Sequence, residues 1–266
     1  MTEFEKPSPY PDQPSPARMY DYYLGGSHNF EIDRQAADRV IAFFPNMRYA
    51  ARANRTFLQR AVTFVTEEGV DQFLDLGAGI PTEGSVHKTA HAKNPRARII
   101  HVDIDPVAIA ESQRILADMP GVTPMVANVS EPDTILNHSE TQRLLDFKRP
   151  VAVLMVALLH FVTNDHELYR IIQTFREAIP SGSYMIITHV SYIEGITSDP
   201  TVDQVESVYA KATQGFKIRT RDQVVKCFEG LEVVEPGIVD TVHWRADSTA
   251  EKPDLSYFLA GVARKP

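Results

Sequence analysis

Phe73-Leu74-Asp75-Leu76-Gly77-Ala78-Gly79-Ile80-Pro81-Thr82-Glu83-Gly84-Ser85 is the stretch on which the fold turns. Its left half, with Val70 and residues 73–76, is a short apolar run of the kind a buried parallel strand shows. Its right half is a glycine-rich turn leading into a helix. Gly77 and Gly79 alternate with Ala78, so the backbone can bend sharply and lie flat against a ligand that a Cβ would push away. A tight strand-to-helix turn would explain that pair alone. Asp75 changes the reading, because it lies two residues before the first glycine, where a dinucleotide-binding strand usually carries an aliphatic side chain. Its carboxylate can hold the loop amides or accept from a cationic ligand amine.

A second acid follows. Residues 98–102 form the next apolar run, and Asp103 ends it 28 residues after Asp75, a spacing that suits a β-α-β unit with the acid at the tip of the second strand. A carboxylate there accepts both hydroxyls of a ribose, so the pair of acids points to nucleoside binding. Ile104 is placed to cover one face of the nucleoside base, or is simply an apolar residue at a strand end. The run 150–159 is continuously apolar and reads as a central strand covered on both faces. Parallel strands put their carboxyl ends on one side, so Ala157 to His160 should enter the same crevice as Asp75 and Asp103. His160 is therefore the leading candidate for chemistry, although a histidine after a buried strand is often only structural.

Asp75-Leu76-Gly77-Ala78-Gly79 resembles motif I of class I S-adenosylmethionine-dependent methyltransferases, and His101-Val102-Asp103-Ile104-Asp105-Pro106 resembles their second motif. More narrowly, residues 18–26 (Arg-Met-Tyr-Asp-Tyr-Tyr-Leu-Gly-Gly), Asn54-Arg55 and Leu159-His160-Phe161 are similar to a group of bacterial S-adenosyl methyltransferases, over nearly the whole chain. The resemblance implies a Rossmann-like α/β fold: a mostly parallel seven-stranded sheet, a C-terminal antiparallel hairpin and an N-terminal helical cap. It implies S-adenosyl-L-methionine as cofactor, and it places Asn128 and the backbone of Val129 at the adenine edge. An Asx turn at Asn128 is the plainer alternative. Pro81 stands where the commoner motif has a third glycine, so the following helix should start late.

At 266 residues with 43% hydrophobic content, the chain can build one large α/β unit, and a second independent domain would be cramped. Cys227 is the single cysteine, which excludes an internal disulfide framework and a cysteine-rich zinc site; no metal-ligand spacing stands out. A net charge of −8 argues against a generic nucleic-acid surface and, with neutral-to-apolar lid residues, favours a small-molecule acceptor. No apolar run is long enough to span a membrane and the N-terminus has no signal-peptide pattern, so a cytoplasmic location is expected.

Residues 1–16 are rich in proline and should be an extended arm. Helices are expected over 17–24, stopped by Gly25-Gly26, then over 33–44 and 47–68. The segment 17–68 is thus a helical cap preceding an α/β region of residues 69–266. Tyr20, Tyr22 and Tyr23 offer aromatic faces to a sulfonium, and Arg18 or Arg55 could pair with the methionine carboxylate. Further helices are expected over 85–93, 106–118 behind an Asp105 cap, 164–178 and 220–228, with an amphipathic helix within 191–216 over the acceptor side. Strands are expected over 122–127 and 183–189, with 231–242 and 255–263 as a closing hairpin and His243-Trp244 structural. Two rivals share the crevice chemistry: an NAD-dependent dehydrogenase, disfavoured by Asp75 and the hairpin, and a non-catalytic binder of S-adenosylmethionine or S-adenosylhomocysteine.

Overall fold

Three helices precede the first strand in the computed structural model, which describes residues 11–82, 84–192, 199–246 and 256–266. Most of the proline-rich arm, Glu83 and the first residue of the last expected strand lie outside that set. Helix α1 (Pro16–Leu24) opens with proline, whose fixed φ suits a first helical turn, and ends at Gly25 with φ +85°. Helix α2 (Glu31–Phe43) begins two residues before the expected 33. The Asp33 carboxylate reaches back to the Phe30 amide at 2.9 Å, as an N3 acid does, rather than sitting at the helix start. Helix α3 (Met47–Glu67) then lays Phe57, Leu58, Ala61, Val62 and Val65 against the sheet.

The α/β part runs β1 (Gln72–Leu76), α4 (Val86–Lys93), β2 (Arg98–Asp103), α5 (Pro106–Leu116), β3 (Val122–Val126), α6 (Pro132–Leu136), α7 (Ser139–Leu144), β4 (Ala152–Met155), α8 (Asp165–Ala178), β5 (Tyr184–Val190), α9 (Asp199–Tyr209), α10 (Arg221–Val225), β6 (Glu232–Val233), β7 (Val239–Asp240) and β8 (Phe258–Arg264). Strand order is β3-β2-β1-β4-β5-β8-β6, with β7 also on β8. The first five strands are parallel, and β8 inserts antiparallel beside β5. The expected seven strands are eight, because Pro236 and Gly237 interrupt the first arm of the hairpin and leave two short strands, β6 and β7, on β8. The long apolar run 150–159 is a strand only over Ala152–Met155, since the backbone turns at Ala157 (φ +55°) into a single 3-10 turn, Leu159–Phe161.

Alternation along the strands makes two cores. Leu74, Leu76, Val153 and Met155 pack under α8 through Leu168, Ile171 and Phe175, while Phe73, Leu154 and Ile186 pack under α3 and α4. Trp244 is wholly buried in the second core, edge-on to Phe57 at 5.4 Å, which accounts for it as a packing residue. A third apolar cluster belongs to neither sheet face. It joins α1, α2 and α9 to Val190 and Phe258, above the carboxyl ends of β4 and β5.

Candidate functional site

Strand order reverses between β1 and β4, so their connections leave in opposite directions and open a crevice at the carboxyl ends. One cavity fills that crevice and extends beneath the helices that precede β1. Its empty space, counted to the open mouth, is about 1820 Å³.

The glycine loop forms the floor. Gly77 has φ +69°, and a Cβ there would come within 2.6 Å of Leu158 Cδ1, so any side chain strains the backbone and displaces its neighbour. The amides of Gly77 and Ala78 donate to Val102 O at 2.8 and 2.9 Å, and Gly79 N donates to Asp103 Oδ2 at 2.7 Å. The loop amides are thus held by β2, not by Asp75 as one sequence-based alternative had it. Asp75 instead takes His101 Nδ1 at 2.8 Å, because the parallel register pairs those two positions. His101 Nε2 meets His87 Nδ1 at 3.1 Å, and Ser85 Oγ lies 3.3 Å from that same nitrogen. Burial depresses the His87 pKa to about 3, so this imidazole is neutral.

Asp103 stands at the tip of β2, 7% exposed, with Oδ1 accepting from Asp105 N at 2.9 Å. Burial, the largest influence, raises its pKa to about 6 despite two backbone donors. Each carboxylate oxygen keeps accepting capacity for a ribose hydroxyl. Ile104 beside it is 40% exposed, an apolar surface left bare at the cavity wall. Asn128 and Val129 line the same end. Asn128 Oδ1 accepts from Ser130 N at 3.0 Å, so the Asx turn is present and the amide is fixed in place by it. Ala157, held by its amide to Thr188 Oγ1 at 2.8 Å, completes the floor.

The helices supply the roof. Tyr20 and Tyr23, one turn apart on α1, line the cavity, whereas Tyr22 points away and bonds Asp38 Oδ1 at 2.9 Å beneath the Arg48 guanidinium. Arg18 does not line the cavity either. Its Nε donates to Asp33 Oδ2 at 2.8 Å, Nη1 to Asp105 Oδ2 at 2.6 Å and Nη2 to Gln13 O at 2.9 Å, so a carboxylate ligand would have to displace a buried ion-pair network. Arg18 ties α1 to α2 and to the turn after β2. Arg55 does line the cavity, and its buried Nε has no hydrogen-bond partner among the described residues.

Asn54 Oδ1, Asp21 Oδ1 and His160 Nδ1 are likewise buried, unpartnered and carried by cavity-lining residues. Unsatisfied buried polar atoms cost about 1–3 kcal/mol each, and such a concentration along one cavity fits a polar ligand that partners them. His160 is 3% exposed, and burial first, then His189 and Arg219, hold its pKa well below the usual histidine value. It is neutral near pH 7 and accepts or donates without charge. Sequence reasoning missed Asp21, the His101–His87 pair and Arg219. The histidine pair and Arg219 depend on contacts between segments apart in the chain, whereas Asp21 bonds the nearby His28 and Asn29; His101, within the motif II stretch, offered a local sign.

A nucleoside-sized crevice with a glycine loop at the tip of β1 and an acid at the tip of β2 defines a nucleoside-binding α/β protein. The model of the S-adenosyl methyltransferase family matches residues 6–266. The chain belongs to that family. It is a methyltransferase whose cofactor is S-adenosyl-L-methionine. A protein from Thermobifida fusca YX, provisionally assigned as a methyltransferase, superposes with a TM-score of 0.89 at 35% identity, covering 99% of each chain. A DUF574 family protein from Streptomyces avermitilis MA-4680 gives 0.88 at 34% identity, over 96% of this chain and 98% of that one. The N-methyltransferase NodS from Bradyrhizobium japonicum WM9, in complex with S-adenosyl-L-homocysteine, shares the fold at a TM-score of 0.50 and 11% identity, over 82% and 88% of the two chains. No curated protein matches the chain. Among the described residues no helix is long and apolar enough to cross a membrane, and no cluster of three acids, histidines or cysteines could hold a metal ion.

Proposed function

We propose that the enzyme transfers the methyl group to a small-molecule acceptor held between the helical cap (17–68) and the α/β unit (69–266) in the cytoplasm. The observation that carries this reading is the continuous cavity that joins the Asp103 end to His160 beneath the helices. Asp103 takes the ribose hydroxyls, Ile104, Asn128 and Val129 the adenine, and the loop Gly77-Ala78-Gly79 with Arg55 the amino-acid end. Charge-assisted bonds of the Asp103 kind contribute about 1.5–3 kcal/mol each. Arg18 and Tyr22 have no direct part in this assignment and brace the cap instead.

When bound, S-adenosylmethionine supplies a methyl already activated on a sulfonium, which passes in line to the acceptor atom. The protein therefore has to position, desolvate and, for a protonated acceptor, hold a proton. His160, neutral and at the border between the two ends, accepts the acceptor's hydrogen bond. Its depressed pKa makes it a weak base, at a cost of about 1.4 kcal/mol per pH unit, so positioning is its larger contribution.

His160→Ala is expected to leave S-adenosylhomocysteine affinity within about twofold and to lower turnover by about 10²-fold or more, in line with general acid-base and positioning effects. Calorimetric titration beside a methyl-transfer assay separates the two. Equal loss of binding and turnover would make His160 a structural residue.

A further inference from the structure

The cavity continues past His160 into a chamber walled by the third apolar cluster. Its rings are Phe161, Tyr209, Phe216, Phe258, Tyr257 and Phe44. Tyr209 and Phe216 stack at 4.8 Å with planes 15° apart, and Phe161 tilts against them at 5.5 and 6.0 Å. The His160 ring packs among Phe161, Phe216 and Phe258 at 4.3, 5.2 and 6.0 Å. Phe44 and Tyr257 meet at 5.1 Å, and Tyr257 holds φ +62°, a left-handed conformation that a bulky residue seldom keeps without a local purpose.

The charged described residues that line the cavity stand at the other end. Asp75 and Asp103 end β1 and β2, and Arg55 packs beside Gly84, next to the glycine loop. Asp21 holds the His28 amide, and His28 in turn pairs with Glu111 on α5. The lining continues past the residues assigned to the cofactor, which leaves this ring-walled end to a second molecule.

We propose that this chamber is the acceptor subsite and that it takes an uncharged, planar aromatic compound presenting a hydroxyl or amine hydrogen to His160. The inference rests on the methyltransferase reading above and names the acceptor class for it. Ring faces at stacked and tilted angles receive a flat ring by offset or edge contact. A charge carried into an apolar enclosure without a counter-ion is strongly disfavoured, which rejects carboxylated and phosphorylated compounds. His160 Nδ1 lacks a partner beside these rings, as does the Tyr23 hydroxyl on α1. A neutral imidazole there rewards a ligand that donates one hydrogen bond and penalises one that cannot.

The test uses the full chain saturated with S-adenosylhomocysteine and three fluorescent probes, 2-naphthol, 2-methoxynaphthalene and 2-naphthoate. Expected is 2-naphthol binding at least about tenfold tighter than the other two. Phe216→Ala should weaken 2-naphthol by about tenfold with S-adenosylhomocysteine affinity unchanged. His160→Phe should abolish the preference of naphthol over its methyl ether; Phe216→Leu serves if the alanine variant does not fold. Failure of S-adenosylhomocysteine itself to bind would overturn the methyltransferase assignment of this cavity. Binding of S-adenosylhomocysteine with no 2-naphthol binding, with naphthoate bound as tightly, or with indifference to both substitutions would overturn the subsite alone.

Discussion

Asp103 carries two pH dependences that run in opposite directions, one in folding and one in its proposed role at the ribose. Burial raises its pKa to about 6, so the folded, ligand-free chain retains a proton that an unfolded chain releases near 3.8. Its contribution to folding is thus fully present below about pH 4 and is withdrawn as pH rises through about 6. In its proposed role Asp103 meets ribose hydroxyls, which prefer the carboxylate, so cofactor binding is expected to expel that proton and affinity to fall as pH drops through about 6. The acid was legible from its place after an apolar run and its distance from Asp75, since a β-α-β unit has a narrow range of lengths. His101 as the partner of Asp75 was not, because the pair exists only through the β1–β2 register, which no local pattern announces.

His160 sits in a turn that a buried cation holds in shape. Arg219, wholly buried, donates Nη1 to Leu159 O at 3.2 Å and Nη2 to Val162 O at 2.7 Å, at either end of the 3-10 turn. Its Nη1 also reaches His189 Nε2 at 2.9 Å, which the neutral His189, with a pKa depressed to about 3, is able to accept. Its Nε pairs with Asp165 Oδ1 at 2.9 Å on the first turn of α8. Arg219→Met takes the Arg219 donor from Val162 O and leaves Leu159 O with the Val162 amide alone, at about 1–3 kcal/mol for a buried group left unpaired. Calorimetry should record a Tm lower by several degrees, at about 2–4 °C per kcal/mol for a chain near this size. An unchanged Tm would show that the turn holds itself. At this scale the helices were readable wherever caps were local, as with Asp105 and α5, Asn164 and α8, and the Thr220–Gln223 box of α10. The extent of β4 was not, because an apolar run specifies burial but not the residue at which the backbone turns.

Across the whole molecule, the cap is fastened to the sheet at the mouth of the cofactor crevice. Arg18 joins Asp33 on α2 and Asp105 at the cap of α5, and those three side chains are 2%, 0% and 7% exposed, so the latch is shielded from salt and water. Removing one member of a buried charge set costs about 3–5 kcal/mol. Arg18→Ala should therefore accelerate hydrogen exchange of α1 amides far more than those of β1 and β4, and uniform protection would mean that the latch does not hold the cap. The sequence announced three helices ahead of the first strand but assigned Arg18 to the ligand, since nothing local distinguishes a basic residue that binds a ligand from one that binds two distant acids.

The measurement that bears most directly on the account is calorimetric titration of S-adenosylmethionine, S-adenosylhomocysteine and NAD into the wild-type chain and Asp103→Ala, at about pH 7.5 and about pH 5.5. The account predicts binding of the first two at about micromolar Kd near neutrality, weaker at the lower pH, and weakened by about 1.5–3 kcal/mol in the variant with the pH step gone. Binding of NAD alone, or affinity for S-adenosylhomocysteine indifferent to Asp103, would contradict it.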